Sequence, residues 1–206
     1  MPLIISSHPL TNHYLSILRD KSTEPDSFRH TTNRLGQILI VEATKNLPLK
    51  TYPLSTPIQD TQGECLAEPV TAVPVLRAGL GLLQAAQDII PNVQVGFIGL
   101  QRDETTAEPH AYYSKFPKLS EGTVLVLEPM LATGGSLSWA CDQLKLAGAT
   151  NITAVCVLVA TPGAESIDRD HPDVTIVAAG CDDTLDENHF IVPGLGDMGD
   201  RLFGTI

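Results

Sequence analysis

The stretch Val124-Leu-Val-Leu-Glu-Pro-Met-Leu-Ala-Thr-Gly-Gly-Ser136 decides the fold. Four apolar residues in a row, with no polar alternation, read as a strand buried on both faces. The run stops at a carboxylate, Glu128, and passes through small residues into a helical pattern from Leu137 to Ala147, which Gly148 can end. Ser136 is placed to cap that helix. Small residues let backbone N–H groups close around an anion, Thr133 and Ser136 add hydroxyl donors, and a helix N-terminus adds favourable potential. The lysine of the GxxxxGK[ST] nucleotide loop is absent. The plain alternative is a tight strand-to-helix turn with an ordinary cap.

Working outward, the same texture repeats. Val70 to Leu76 is an apolar run followed by Arg77-Ala78-Gly79 and a helical stretch from Leu80 to Ile90. Val93 to Leu100, Ile152 to Ala160 and Val174 to Ala179 are further strand candidates. A helix is expected over Asn33 to Lys45, and the segment from Pro48 to Pro69 reads as loops or short hairpin strands. Apolar strands alternating with helices predict an α/β fold, with a mostly parallel central sheet flanked by helices, as one domain over residues 1–206. In such sheets ligands sit beyond the carboxyl ends of the strands. Arg77, the Arg102-Asp103-Glu104 cluster and the Glu128 to Ser136 loop each follow a strand, so they converge there.

Composition narrows the function classes. A formal net charge of -11 argues against broad binding to nucleic acid or anionic lipid, though a few arginines can still make a local site for a small anion. The four cysteines are scattered without a CxxC pair and the histidines show no HExxH spacing, so neither a disulfide framework nor a zinc site is expected. No stretch approaches a membrane span and the first residues lack a signal-peptide pattern, which predicts a cytoplasmic protein. Gly194-x-Gly196-x-x-Gly199 satisfies GxGxxG, but the seven residues after it leave no room for a helix and second strand. Glycines there, with Pro193, read instead as a backbone-lined pocket for a planar ring, against the plainer alternative of an irregular loop packed on the core.

Residues 124–136 closely resemble the phosphoribosyl diphosphate (PRPP) motif of the uracil phosphoribosyltransferase family, whose usual form is DPMLATGGS. Pro74 to Gly81 resembles the family's PVLRAGLG segment, Ile98 to Glu104 is similar to its GLYRDE segment, and Ile191 to Thr205 resembles its uracil signature. The Phe28 to Thr44 region is similar to the family's early helix, so the resemblance is collinear over nearly the whole chain. It implies a phosphoribosyltransferase-like fold with a flexible hood over Asp103 to Glu121 and a C-terminal base-binding segment. It implies transfer of phosphoribosyl from PRPP to uracil, giving UMP and pyrophosphate, with Arg77, Arg102 and Glu128 as catalytic residues. PRPP would be held by those three with Pro129, Met130, Leu131, Ala132, Thr133, Gly134, Gly135, Ser136 and Asp197. Uracil would meet Ile191, Gly196, Asp197 and Met198. Mg2+ is implied as the cofactor, carried on PRPP rather than by direct side-chain ligation, with Asp197 reaching it through water. The resemblance also implies a homodimer or homotetramer, with GTP as a candidate activator.

Four residues depart from the family's pattern. Glu128 stands where aspartate is usual, Gln101 and Phe190 where tyrosine is common, and Met198 where alanine is found. The extra methylene of Glu128 displaces a carboxylate expected on the ribose hydroxyls, and Met198 adds bulk beside the base pocket. These departures keep two other readings open: a relative that binds PRPP or a uracil nucleotide as a sensor without turnover, and a phosphoribosyltransferase for another base.

Overall fold

The computed structural model describes residues 3–102 and 109–205, with the backbone alone at 101, 102 and 109–111. In chain order the elements are β1 (Leu3–Ile5), α1 (Pro9–Arg19), α2 (Pro25–Thr44), a hairpin of β2 (Leu49–Ser55) and β3 (Asp60–Leu66), β4 (Val70–Leu76), α3 (Leu80–Ile89), β5 (Gln94–Val95), β6 (Phe97–Arg102) and β7 (Pro109–Lys115). They continue with β8 (Thr123–Leu127), β9 (Met130–Leu131), α4 (Gly135–Leu146), β10 (Ile152–Ala160), α5 (Thr161–Asp170), β11 (Thr175–Asp182), β12 (Thr184–Leu185), β13 (Ile191–Val192) and α6 (Met198–Phe203).

The main sheet runs β1-β11-β10-β8-β4-β6-β7. Every neighbour in it is parallel except the β6–β7 hairpin at one edge. The continuous apolar runs of β4, β8 and β10 are the central strands, and β8 and β10 are buried along their full length. Their side chains divide between two cores, one on each face. On the first, Leu15 and Leu18 of α1, Phe28, Leu35 and Leu39 of α2 and Leu82 of α3 pack on Ala72, Leu125, Val155 and Val177. On the second, Leu137, Ala140 and Leu144 of α4 and Ile167 of α5 pack on Val73, Val126, Ala154 and Ile176. Covering both faces removes the polar alternation from these strands, which is why they are legible as apolar runs.

Several boundaries differ from the sequence reading, each for a local reason. The early helix begins at Pro25, not Asn33, because proline fits the first helical position, where no intrahelical N–H bond is lost. The expected strand from Val93 to Leu100 is divided: β5 pairs with the start of β4 and β6 with its end, and Gly96 lies between them with its N–H on the Ala72 carbonyl (3.0 Å). Residues 48–69 form a regular hairpin, almost wholly exposed, with Ile58 at its tip. The hood segment 103–121 is in part the β7 strand, while 103–108 lie outside the described residues. Helices α1 and α5 are not anticipated by the sequence pattern. Gly148, at φ +98°, follows the end of α4 as expected.

Strand β8 is interrupted where the chemistry is expected. Leu127 pairs with Val155 and Met130 with Leu158, but Glu128 and Pro129 leave the ladder between them. The Pro129 carbonyl accepts from both the Val157 and the Leu158 N–H (2.8 and 3.0 Å), and the facing of β10 slips by one residue at that point. A local irregularity of this kind re-aims the side chains beside it.

The first turn of α5 packs directly on the loop that follows. A Cβ on Gly163 would lie 2.4 Å from the Ala132 carbonyl oxygen and 2.9 Å from that of Leu131, whereas one on Gly135 meets only the Thr133 hydroxyl at 3.9 Å. Gly163→Ala is therefore expected to lower stability by about 1–3 kcal/mol, the range of core overpacking. Gly135→Ala should stay within roughly 0.5 kcal/mol of the parent. Urea unfolding of the two variants checks the contrast, and equal midpoints would contradict this packing.

Candidate active site

A cavity of about 310 Å3 opens at the carboxyl ends of β4 and β8, roofed by the C-terminal segment. Val75, Leu76 and Leu100 give it an apolar side, and the Leu76–Arg77 peptide in its wall is cis. Arg77, Glu128, Met130, Ala132, Ser136, Ile191, Gly196, Asp197 and Met198, all singled out from sequence, line it together. Ala78, His189, Phe190 and Gly199 complete that wall.

Other sequence-derived residues stand behind the lining. Pro129 is buried with its carbonyl on β10, and Leu131 is 1% exposed in the core under α4. Thr133, Gly134 and Gly135 form the turn into α4, just beyond the lining residues. Arg102 ends β6 three residues past Gly99, the partner of Leu76, which brings its backbone to the same end of the sheet as Arg77; its side chain lies outside the described set.

The turn into α4 corrects one expectation. The helix starts two residues earlier than the sequence suggests, so Ser136 sits inside its first turn and Gly134 is the cap. Gly134 has φ +93°, a conformation that side-chain-bearing residues rarely adopt, and no side chain caps the helix. An uncapped helix start keeps its N–H groups available to an anion. Glu128, at 8% exposure, is held at the interruption of β8 by its own N–H on the Val155 carbonyl (3.2 Å).

Arg77 is 58% exposed and pairs through Nη2 with Asp200 Oδ1 at 3.2 Å. Asp200 lies on α6, a short helix begun by the Asp197 carboxylate, which accepts from the Asp200 N–H (2.8 Å). The sequence pattern at Pro193 to Gly199 reads as a backbone-lined pocket and does not announce this helix. Its signal was the Asp197-x-x-Asp200 spacing of a capped first turn.

Two further arginines, unnoticed in the sequence, fix the pocket's glycine loop. Arg19 at the end of α1 makes a forked pair with Asp182 (2.7 and 2.6 Å) and also donates to the Gly194 carbonyl (2.8 Å). Asp182 in turn accepts from the Gly194 N–H (2.9 Å), so both polar groups of one loop peptide residue are held. Arg201 donates to the carbonyls of Leu195 (2.7 Å), Asp20 (2.6 Å) and Leu18, and its guanidinium lies 4.3 Å above the Phe28 ring. Apart from the Arg201–Leu195 bond, these hydrogen bonds span most of the sequence, which is why no local pattern announces them. Among the described residues, no group of three His, Cys, Asp or Glu side chains is placed to hold a metal ion.

Comparison with known proteins places this geometry in context. The family profile described as uracil phosphoribosyltransferase matches residues 5–205. A uracil phosphoribosyltransferase from Acholeplasma laidlawii is 44% identical over 204 residues, covering 98% of both chains. One from Roseiflexus sp. is 46% identical, again over 98% of both. Among solved structures, the AQ2163 protein from Aquifex aeolicus superposes with a TM-score of 0.94 at 37% identity, over 98% of this chain and 97% of that one.

The Arg19–Asp182 pair sets a pH dependence. Hydrogen bonding from Arg19 holds the Asp182 carboxyl below its usual value; burial opposes this and the Gly194 N–H assists. A lowered carboxylate stabilises the fold at neutral pH, and its contribution is lost as pH falls below about 4 and through the lowered value. Asp182→Asn should cost about 2–3 kcal/mol at pH 7, because Arg19 loses its charged partner in a half-buried place. The penalty should stay level from pH 7 to about 5 and shrink as pH is taken below about 4 toward 3. Urea midpoints of both proteins across that range check this, and a penalty independent of pH would contradict it.

Proposed function

The chain belongs to the uracil phosphoribosyltransferase family, and from that premise we propose that it transfers phosphoribosyl from PRPP to uracil, releasing pyrophosphate and forming UMP. The observation that carries this reading is the single cavity lined by Arg77, Glu128, Ser136 and residues 196–199. Arginine for a diphosphate, an open helix start for a phosphate and a backbone-rich loop for a base there share one wall.

The reaction forms a bond from uracil N1 to ribose C1′ while the bond from C1′ to the diphosphate oxygen breaks, and pyrophosphate leaves with that electron pair. Arg77, with Arg102, neutralises the charge growing on the leaving group. The 5′-phosphate lies against residues 130–136, where the uncapped α4 start supplies N–H donors and Ser136 a hydroxyl. Glu128 accepts from the ribose hydroxyls. Uracil lies against Ile191, Gly196, Asp197 and Met198, where fixed main-chain groups distinguish a carbonyl from an amino group. Among the described lining residues the basic groups are the Glu128 and Asp197 carboxylates and the His189 imidazole, and the protein acts mainly by placement and electrostatics. The donor set suits a hydrated Mg2+ carried by PRPP and held through the Asp197 carboxylate, supplying charge neutralisation at the diphosphate.

The finer attributes rest on the same reading. A single phosphoribosyltransferase domain acting in the cytoplasm fits the fold; among the described residues no helix is long and apolar enough to cross a membrane. A homodimer or homotetramer is supported by the exposed β2–β3 hairpin, since two strands without a packed face are marginal alone. GTP remains an activator to be assayed.

Purified protein with PRPP, Mg2+ and labelled uracil is expected to form UMP, with cytosine, hypoxanthine and orotate inactive in parallel. Arg77→Ala should lower kcat/KM at least roughly 100-fold with the unfolding midpoint retained. Wild-type rates in that variant would overturn the site assignment. A folded parent that binds PRPP without turnover of any base would mean a sensor in place of an enzyme.

A further inference from the structure

We propose that Asp200 is a positioning residue for the transfer: it aims the Arg77 guanidinium along the cavity wall so that PRPP meets it already placed. The proposal rests on the reading of Arg77 as a diphosphate ligand. An arginine that is 58% exposed samples many rotamers, and ordering it on substrate arrival costs binding energy. Here the guanidinium is ordered beforehand by its 3.2 Å contact with Asp200 Oδ1. That contact engages one nitrogen of a group with five donors, leaving the rest of the fork for phosphate oxygens.

The carboxylate is itself fixed from behind. Its Oδ1 accepts from the Thr205 hydroxyl at 2.5 Å, its residue's N–H is held by Asp197 at 2.8 Å, and its carbonyl accepts from the Gly204 N–H at 2.7 Å. Space matters as well: a Cβ on Gly199 would come within 3.8 Å of Arg77 Nη2, so the guanidinium lies close along the start of α6. An exposed ion pair of this kind contributes little to folding stability. Its value lies in where it holds the cation. The line Thr205–Asp200–Arg77 thus carries the order of the C-terminal segment to the wall where the diphosphate is expected.

The geometry separates aiming from charge. Asp200→Asn keeps an oxygen acceptor for Nη2, whereas Asp200→Ala removes it. PRPP affinity is to be measured by calorimetry with Mg2+ and no base, alongside kcat and the KM values for PRPP and uracil. Asp200→Ala should weaken PRPP binding and raise its KM about 5- to 10-fold. The KM for uracil and the unfolding midpoint should stay close to the parent. Asp200→Asn should lie within about two-fold of the parent, and Thr205→Val should shift in the direction of Asp200→Ala, but less. Parental PRPP affinity in Asp200→Ala overturns the proposal, as does an equal rise in both KM values with loss of stability, which marks a purely structural role. If the parent binds PRPP but forms no UMP, the functional reading fails while the calorimetric contrast still decides on Asp200. If the parent does not bind PRPP, both fall.

Discussion

The architecture turns on one shared acceptor. Strand β10 is buried along its full length, so each of its N–H groups must find a partner inside the protein. Its neighbour β8 breaks off at Leu127 and resumes as β9 at Met130. The Pro129 carbonyl closes the gap by accepting from two successive N–H groups of β10. Because that one oxygen satisfies the next two donors of β10, the chain can leave the ladder after the last bond, from the Glu128 N–H to Val155, without orphaning buried donors. The loop after it can then turn into α4 at the mouth of the cavity. A carboxylate at 8% exposure beside a helix start is thus a consequence of how a central strand is interrupted.

The other half of the site obeys a different constraint. Residues 193–197 have almost no regular structure of their own, yet Gly196 and Asp197 form part of the cavity wall, and a wall without helix or strand needs other contacts to hold it still. Arginines supply the rigidity. Arg19 with Asp182 grips both polar groups of Gly194, and Arg201 gathers carbonyls from α1, its following turn and the loop itself. In a chain of net charge -11, these cations act as internal clamps, and the acidic excess is left to the surface.

How far sequence reaches into this structure follows from the range of the forces involved. The central strands were legible because burial on both faces writes an apolar run, and the Glu128 to Ser136 loop because small residues between a strand and a helix have few other uses. Helix α5 escaped notice because its sequence, Thr161-Pro-Gly-Ala-Glu-Ser-Ile-Asp-Arg-Asp170, buries only Gly163, Ala164 and Ile167, too sparse a stripe to stand out. Ser136 was misplaced as a cap because a glycine at positive φ does that work with no side chain to advertise it. Arg19, Asp182 and Asp200 went unseen for a stronger reason. Each owes its role to a partner 123 to 163 positions away, and no local pattern encodes that.

The clamp on Gly194 also fixes an order of events during synthesis. Arg19 and Gly194 are 175 residues apart, and Arg201 reaches back 183 residues to Leu18. A ribosome-bound chain that has exposed everything through β11 already holds every strand of the main sheet and the loop leading into α4, while one of the two cores still lacks Ile191, Leu195, Met198 and Leu202. It has no roof over the cavity, because the segment from Ile191 to Phe203 is still to come. The nascent protein therefore carries the wall made by Arg77, Glu128 and Ser136 before the wall made by Ile191 and residues 196–199 exists. Only when the segment from Ile191 onward meets α1 does the cavity acquire a second wall, so the site is assembled from two of the most distant stretches of the described fold.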